Sequence, residues 1–568
     1  MLEYFPREKR GGEVIKPTQN QLKALDRLSA CEKKFVIFSA PTGTGKSLFG
    51  KAYGNSARQP SKNYIELVNT GKINKVDDIS RRFIHEKEVY KEPAHGCFVL
   101  TPTILLQDQL HQDFNTEIFK GKSNYFCNLK SKKPVRFTNA PCLFSSKQKK
   151  ACLKNKCCDY YNNQDAVLLS QFACLNYDKF IYLPDIFKRR QILVLDEAAD
   201  IENIIIKCYE FTLDRSILQK HGINFKYREK TLIEDLIECY EDINKQIKRI
   251  RAYTKNNKPD KNTITKYQEL SPLSIGLERL LKMYSNNKNS YVVTIELGNL
   301  IFTPLYIDIF CKELFRHAEK VVLMSATFIN IKHYAKTLGL TEEDYDVVSI
   351  SSDFDPNKSP IFIPDSGVYL KSEYFNDKTR DPLMIKALVR EISFILSEHP
   401  NDKGIIHTCS GQITKVLREE TLKKSSPLYK FKDRLIIRIK GEFSNSDLVK
   451  INKSSSDPVV LVSPSLTTGF DFKGDLGKFQ IIAKCPWIGQ NARAKLIMKQ
   501  DKDWYNLLML KNMVQACGRT TRSTEDSSDT YIIDKCFVKV LKKYMSVLDE
   551  SFTKRLSLGN KLIREYKL

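Results

Sequence analysis

Along the chain, short continuous apolar runs alternate with segments whose apolar residues recur every three or four positions, which predicts strands alternating with helices. Phe35-Val36-Ile37-Phe38, the start of Gly96–Leu110, Gln191-Ile192-Leu193-Val194-Leu195 and Val321-Val322-Leu323-Met324 have the composition of buried strands. Leu22, Leu25 and Leu28 make one face of a helix before the first of these strands. A second series begins at Gly404-Ile405-Ile406-His407 and continues through Val459–Val462, Phe479–Ala483 and Tyr531–Asp534. The pattern changes between Ile205 and Val293: Leu232, Leu236, Tyr240, Ile243, Ile247 and Ile250 keep helical spacing among charged residues, Lys255 to Asp260 breaks that helix, and Leu270–Tyr284 reads as another. The expectation is two α/β units with a mostly helical insertion in the first.

Chemistry enters where the runs end. Phe35–Phe38 feeds Ala40-Pro41-Thr42-Gly43-Thr44-Gly45-Lys46-Ser47, and a helix-compatible stretch follows. A strand, a glycine-containing loop ending Gly-Lys-Ser and a helix form a phosphate-binding loop. Gly43 and Gly45 let the backbone curl so that its N–H groups face phosphate oxygens, Lys46 reaches the β- and γ-phosphates, and Ser47 is placed to ligate Mg²⁺. Ala40 stands where the full pattern has glycine. The strand Gln191–Leu195 ends in Asp196-Glu197-Ala198-Ala199. Beside a phosphate loop, Asp196 is expected to bind magnesium, and Glu197 to orient or deprotonate the attacking water. Gln19 could offer its amide to adenine. Thr101 and Thr103 could hold phosphates of a bound strand or form an ordinary hydroxyl-capped turn. Arg519 and Arg522, three apart, are expected on one helix face, from which they could reach a γ-phosphate.

Residues 120–156 contain eleven Lys or Arg and no acid, together with Cys127, Cys142 and Cys152, and Cys157 and Cys158 follow at once. So many cysteines in a lysine-rich, strand-poor segment point to a metal centre with four thiolates, and spacing does not separate zinc from an iron–sulfur cluster. Fifteen cysteines with no apolar leader argue against a disulfide framework. The net charge of +25, from 92 basic and 67 acidic residues, points to a polyanionic partner, with Lys120 and Lys122 among the candidate phosphate contacts. At 568 residues the chain is too long for one core, and no apolar run is long enough to span a membrane. An intracellular, cytoplasmic protein is expected.

Taken in order, APTGTGKS, TPT, DEAA, SAT, TTGFD (Thr467–Asp471) and QACGRTTR (Gln515–Arg522) resemble the motifs of superfamily 2 helicases. The likeness is to the iron–sulfur branch, which includes the xeroderma pigmentosum group D and damage-inducible G helicases. Lys120–Cys127 is similar to that branch's first-cysteine motif, and Cys158–Tyr161 to its last. The resemblance implies two RecA-like domains with parallel sheets and ATP at their interface. The first comprises residues 1–119, 162–204 and 294–370, and the second 371–568. A cluster domain covers 120–161 and a helical arch 205–293. It further implies a [4Fe–4S] cluster on Cys127, Cys142, Cys152 and Cys158, with Cys157 as the alternative fourth ligand and zinc as the alternative metal. Nucleotide contacts by Gly469 and Asp471, a coupling role for Gln515, and arginine fingers at Arg519 and Arg522 are implied as well. The implied activity is ATP-dependent translocation on single-stranded DNA, 5′→3′, with unwinding of forked or tailed duplex by a monomeric motor. The alternatives are an RNA-remodelling ATPase and an ATP-switched nucleic-acid scaffold. Ala199 departs from the histidine usual in this branch. Little precedes Gln19, so the exonuclease domain appended in some relatives is not expected.

Overall fold

The computed structural model describes residues 1–41, 43–70, 92–127, 135–143, 146–155, 158–257, 259–285, 287–352, 354–438, 441, 443–466, 472–520, 526–558 and 561–562. Two compact units emerge, one of Met1–Ser39, Lys46–Ser325 and Lys332–Ser349, the other of Ala40–Gly45, Ala326–Ile331 and Ile350–Leu568.

The first unit is built on strands β1 (Phe35–Ser39), β2 (Cys97–Thr101), β3 (Glu117–Phe119), β4 (Phe172–Asn176), β5 (Arg190–Leu195), β6 (Ala318–Ser325) and β7 (Tyr345–Ser349). They form one parallel sheet in the order β7-β1-β6-β5-β2-β4-β3. Continuous apolar runs suit such a sheet because helices cover both faces, and the central strands β1 and β2 are buried almost end to end. The register pairs Ser39 with Ser325, Leu323 with Leu195, and Leu195 with Leu100. The chain therefore leaves β1, β5, β2 and β6 at the same carboxyl edge, where open parallel sheets bind their ligands.

The insertion contains two long helices, Leu232–Asn256 and Lys261–Tyr284, the second capped by the Asp260 side chain. Leu236, Ile243 and Ile247 of the first and Leu277 and Leu280 of the second are buried inside it. It is not purely helical: Phe211–Leu213, Tyr291–Glu296 and Asn299–Pro304 form a three-stranded antiparallel sheet that runs past the expected boundary at 293. The cysteine-rich segment is short 3-10 turns, a two-residue hairpin and the helix Ser146–Asn155.

The second unit carries β8 (Ile361–Ile363), β9 (Gly404–His407), β10 (Leu435–Ile437), β11 (Val460–Ser463), β12 (Phe479–Ile482), β13 (Asp529–Ile532), β14 (Leu556–Leu558) and β15 (Lys561–Leu562). Their order is β10-β11-β9-β12-β13-β8-β14-β15, parallel except for the last pair. Alternation along the strands splits the core, with Ile406, Val460 and Ile481 in one cluster and Ile405 and Leu461 in another on the opposite face. The expected boundary at 371 is too late, because β8 pairs with β13 and β14 and draws residues 350–370 into this unit. Among the described residues no helix is long and apolar enough to cross a membrane.

Gly54, in the helix Lys46–Ser56, shows how tightly the first sheet is covered: a Cβ there would fall inside contact distance of the Phe172 ring. Gly54→Ala should destabilise the unit by about 1–3 kcal/mol through overpacking, outweighing a helix-propensity gain of up to about 1 kcal/mol. Thermal denaturation should show a lowered Tm, and an unchanged or raised Tm would mean that the ring has room to move.

Candidate functional site

Gly43 and Gly45 lie at φ 83° and 85°, the left-handed region that costs glycine little, so the loop after β1 curls as the pattern requires. Thr44 holds the curl, its hydroxyl donating to the Pro41 carbonyl at 2.7 Å. Lys46 opens the helix Lys46–Ser56, followed by half-buried Ser47. Thr42 lies outside the described residues.

At the end of β5 the chain turns sharply. Glu197 has φ 52°, a strained value for a residue with a Cβ, costing roughly 1–3 kcal/mol. Three hydrogen bonds support the turn. The Asp196 N–H donates to the Leu100 carbonyl at 2.9 Å, the Tyr177 hydroxyl to the Asp196 carbonyl at 2.8 Å, and the Tyr334 hydroxyl to the Ala198 carbonyl at 2.7 Å. Ala198 and Ala199 are both buried in this turn. Neither tyrosine was expected from the sequence, because nothing in a local pattern announces a distant hydroxyl.

Lys46 Nζ stands 3.9 Å from Glu197 Oε1, beyond hydrogen-bonding distance. An ion pair this long and partly exposed is worth at most about 1 kcal/mol, so Lys46 can leave it for a phosphate. Asp196 is the more telling group. Its Oδ1 is sealed from solvent and has no hydrogen-bond partner. Burial and then the Glu197 charge raise its carboxyl above the ordinary range, while Lys46 opposes the shift. A sealed carboxylate oxygen without a donor fits a cation, and Asp196 with Ser47 would hold Mg²⁺ here.

The other candidates fall variously. Gln19 is exposed on the first turn of the helix Gln19–Ser29, whose capping box is made by Thr18 with Gln21. Thr101 is fully buried and donates to the Thr103 carbonyl at 3.1 Å, while the Thr103 hydroxyl accepts from the Leu106 N–H. These hydroxyls serve the turn, and Thr101 presents no surface to a strand. Lys120 pairs with Asp108 at 2.6 Å. In the second unit Gln515 Nε2 donates to the Thr327 hydroxyl at 3.3 Å, joining the Gln-Ala-Cys-Gly-Arg and Ser-Ala-Thr segments. The expected helical position of Arg519 is corrected. The helix Trp504–Cys517 ends at Gly518, and Arg519 lies in the turn beyond, its carbonyl accepting from the Phe472 N–H. Arg522, Gly469, Asp471 and Cys157 lie outside the described residues.

Cys127, Cys142, Cys152 and Cys158 are all buried and free of disulfides. They come from the hairpin strand Phe126–Cys127, the turn Pro141–Leu143, the helix Ser146–Asn155 and the N-cap of Asp159–Leu169. Burial pushes the Cys142 thiol up to about 11, with Cys158 and Cys127 adding to the rise, so these sulfurs feel one another's charge. Four buried cysteines supplied by four separate elements are candidate ligands for a cation or cluster, which would displace their protons.

A cavity of about 670 Å³ runs between this segment and the insertion, and no sequence pattern foretold it. Lys122, Tyr182, Tyr209, Tyr267 and Arg279 line it. The Arg279 guanidinium lies over Tyr182 and Tyr209 at 4.2 and 4.5 Å, and Gln268 donates to Asn139 across the gap at 2.5 Å.

Comparisons agree with this geometry. Residues 395–555 match the helicase C-terminal domain family. A solved XPD helicase structure shares 16% identity with a TM-score of 0.55, covering 96% of this chain and 100% of the other. An apo XPD structure shares 15% at a TM-score of 0.50, covering 92% and 97%. No curated protein matches the chain.

Protons and Mg²⁺ should compete for Asp196. Because its carboxyl is raised, protonation begins at a higher pH than for an ordinary carboxylate, and Mg²⁺-dependent ATP turnover should fall early on acidification. Raising Mg²⁺ should move that limb to lower pH, by up to about one unit per tenfold increase. An acid limb indifferent to Mg²⁺ would remove Asp196 from the metal site.

Proposed function

We propose that this chain, which has the fold of an XPD-type superfamily 2 helicase and that family's helicase C-terminal domain, is an ATP-dependent DNA helicase that moves 5′→3′ on single strands. The observation that carries the reading is the meeting of Lys46, Glu197 and the unpartnered Asp196 oxygen at the carboxyl edge of the first sheet.

In this reading the curled loop and Lys46 bind the ATP phosphates, and Ser47 and Asp196 hold Mg²⁺. Glu197, fixed by its strained turn, takes the proton of the attacking water or orients it. Transition-state charge would be met by Lys46 and by Arg519 and Arg522. The Gln515–Thr327 hydrogen bond gives nucleotide state a route to the backbone after β6. Ala199 offers no side chain for the coupling that a histidine would give, so Gln515 takes a larger share. Polarity and the preference for DNA rest on the motif order alone.

The lysine-rich segment would grip the strand by salt-dependent phosphate contacts, and the rings of Tyr182, Tyr209 and Tyr267 suit stacking without sequence preference. We assign a [4Fe–4S] cluster to Cys127, Cys142, Cys152 and Cys158. It would crosslink a segment too rich in lysine to pack by itself.

Strand displacement on 5′- and 3′-tailed duplexes, with ATPase stimulated by single-stranded DNA or RNA, tests the whole reading. Unwinding should require a 5′ tail, and stimulation by RNA alone would replace the DNA assignment. Glu197→Gln should bind ATP yet lose about 10²–10⁴ in turnover, and a loss under about tenfold would be too small for a base.

Protein purified without air should be brown and carry about four irons per chain. Cys127→Ser, Cys142→Ser, Cys152→Ser or Cys158→Ser should bleach it and reduce unwinding more than basal ATPase, whereas Cys157→Ser should not. Colourless protein with one stoichiometric zinc would overturn the cluster.

A further inference from the structure

The opposite, amino edge of the first sheet carries a second concentration of charge. Here β5 begins at Arg190 and β6 at Ala318, paired in register, with the Arg190 N–H donating to the His317 carbonyl at 2.9 Å. A cavity of about 140 Å³ opens beside them, lined by Arg189, Arg190, Arg316, His317 and Glu319. Water occupies about 30 Å³ per molecule, so the space suits a few waters or one tetrahedral oxyanion.

Two groups in the lining are buried and incomplete. Arg190 is 1% exposed, bonds the Arg189 and Val167 carbonyls through its terminal nitrogens, and lies on the Phe98 ring at 3.7 Å. Its Nε makes no hydrogen bond, the buried Tyr64 hydroxyl beside the guanidinium supports its charge, and among the described residues it is paired with no carboxylate. His317 is 5% exposed, and its Nε2 makes no hydrogen bond and lies 3.8 Å from Asp185 Oδ1. A buried guanidinium without an anion is costly, and a ligand that supplied one would be bound for that reason.

Asp185, Glu313 and His317 do bring ligand atoms within 4.8 Å of one another, which raises the possibility of a divalent cation. The charges decide against it. Asp185 is bonded by Lys188 and Arg316, and Glu313 by Lys282 and Arg316, while Glu319 is taken by Arg58. A cation would have to displace ammonium and guanidinium groups from both carboxylates. Burial, Lys188 and Arg316 hold the His317 imidazole down to about 4, and burial with Arg190 does the same to nearby His95.

We propose that this cavity binds a phosphate-sized oxyanion, either inorganic phosphate or the phosphomonoester group of a small molecule. Arg190 and the neutral His317 ring would supply donors, and Arg316 would be shared between the anion and its carboxylates Asp185 and Glu313. The bound anion would fasten the first residues of β5 and β6, whose far ends carry Asp196 and Ser325.

Calorimetric titration of inorganic phosphate into the full chain at constant ionic strength tests this, with Lys46→Ala as the background so that the phosphate loop does not contribute. One site per chain should remain in that background. Arg316→Gln, and separately His317→Gln, should each weaken it by at least about tenfold while the circular dichroism is kept. In the Lys46-intact protein Arg316→Gln should leave ATPase within about twofold. A parallel titration with AMP separates the two sources: binding as tight as phosphate makes the ligand a phosphomonoester, and weaker binding makes it the free ion. Absence of saturable binding in the Lys46→Ala background, or binding untouched by both cavity substitutions, would overturn the proposal. Arg190 itself is left intact because it belongs to the core.

Discussion

A carboxylate oxygen sealed from water with nothing to bond is the constraint around which the first unit is arranged. Leaving such a group unpaired is expensive, so the surroundings must hold Asp196 in place without satisfying it. The sheet does this by register, since Leu195 sits between Leu100 and Leu323 and fixes where β5 ends. Tyr177 and Tyr334 then take the carbonyls of Asp196 and Ala198, so the turn is secured by its backbone and the carboxylate stays available. Each such bond is worth only about 1 kcal/mol, yet two of them with the Leu100 bond are comparable to the strain at Glu197. Binding a metal would relieve the desolvation that the fold maintains, and the affinity of the proposed site would come from that relief.

The same accounting explains why some of the site was legible in the sequence and some was not. Lys46, Ser47, Asp196 and Glu197 are readable because phosphate and metal chemistry demand those residue types at the ends of apolar runs, and runs and loops are local. Gln515 was singled out by motif order, but its partner Thr327 is 188 residues away, and no local pattern reaches that far. Thr101 was left open for a related reason: a Thr-Pro-Thr turn reads the same whether its hydroxyls face a ligand or close the turn, and only burial distinguishes them. The helix face for Arg519 failed because a glycine lies between Cys517 and Arg519, and spacing was given more weight than a helix stop. The three-stranded sheet of the insertion was hidden because Phe211–Leu213 is separated by two long helices from the hairpin of Tyr291–Glu296 and Asn299–Pro304 that it joins.

The cysteine-rich segment depends on a different balance. Its lysines cannot form a core, so it needs anchorage at both ends. One end is aromatic: Phe137 stacks on Tyr160 at 4.4 Å, Tyr160 meets Phe119 at 5.1 Å and Tyr125 at 5.4 Å, and Phe119 belongs to the edge strand β3. Lys179 lies over Phe119 at 3.7 Å and donates to the Tyr160 hydroxyl, and burial among these rings with Lys122 nearby lowers its ammonium to about 7. The other end carries the four buried thiols of Cys127, Cys142, Cys152 and Cys158, where the proposed cluster would be the second anchor. The two anchors fail independently. Loss of the metal would free the turns that carry Cys142 and Cys152, while the rings would keep Asp159–Leu169 on the sheet that bears the nucleotide residues. On the proposed reading, a motor built this way would keep its ATP chemistry when the cluster went and would lose only the part that meets the duplex.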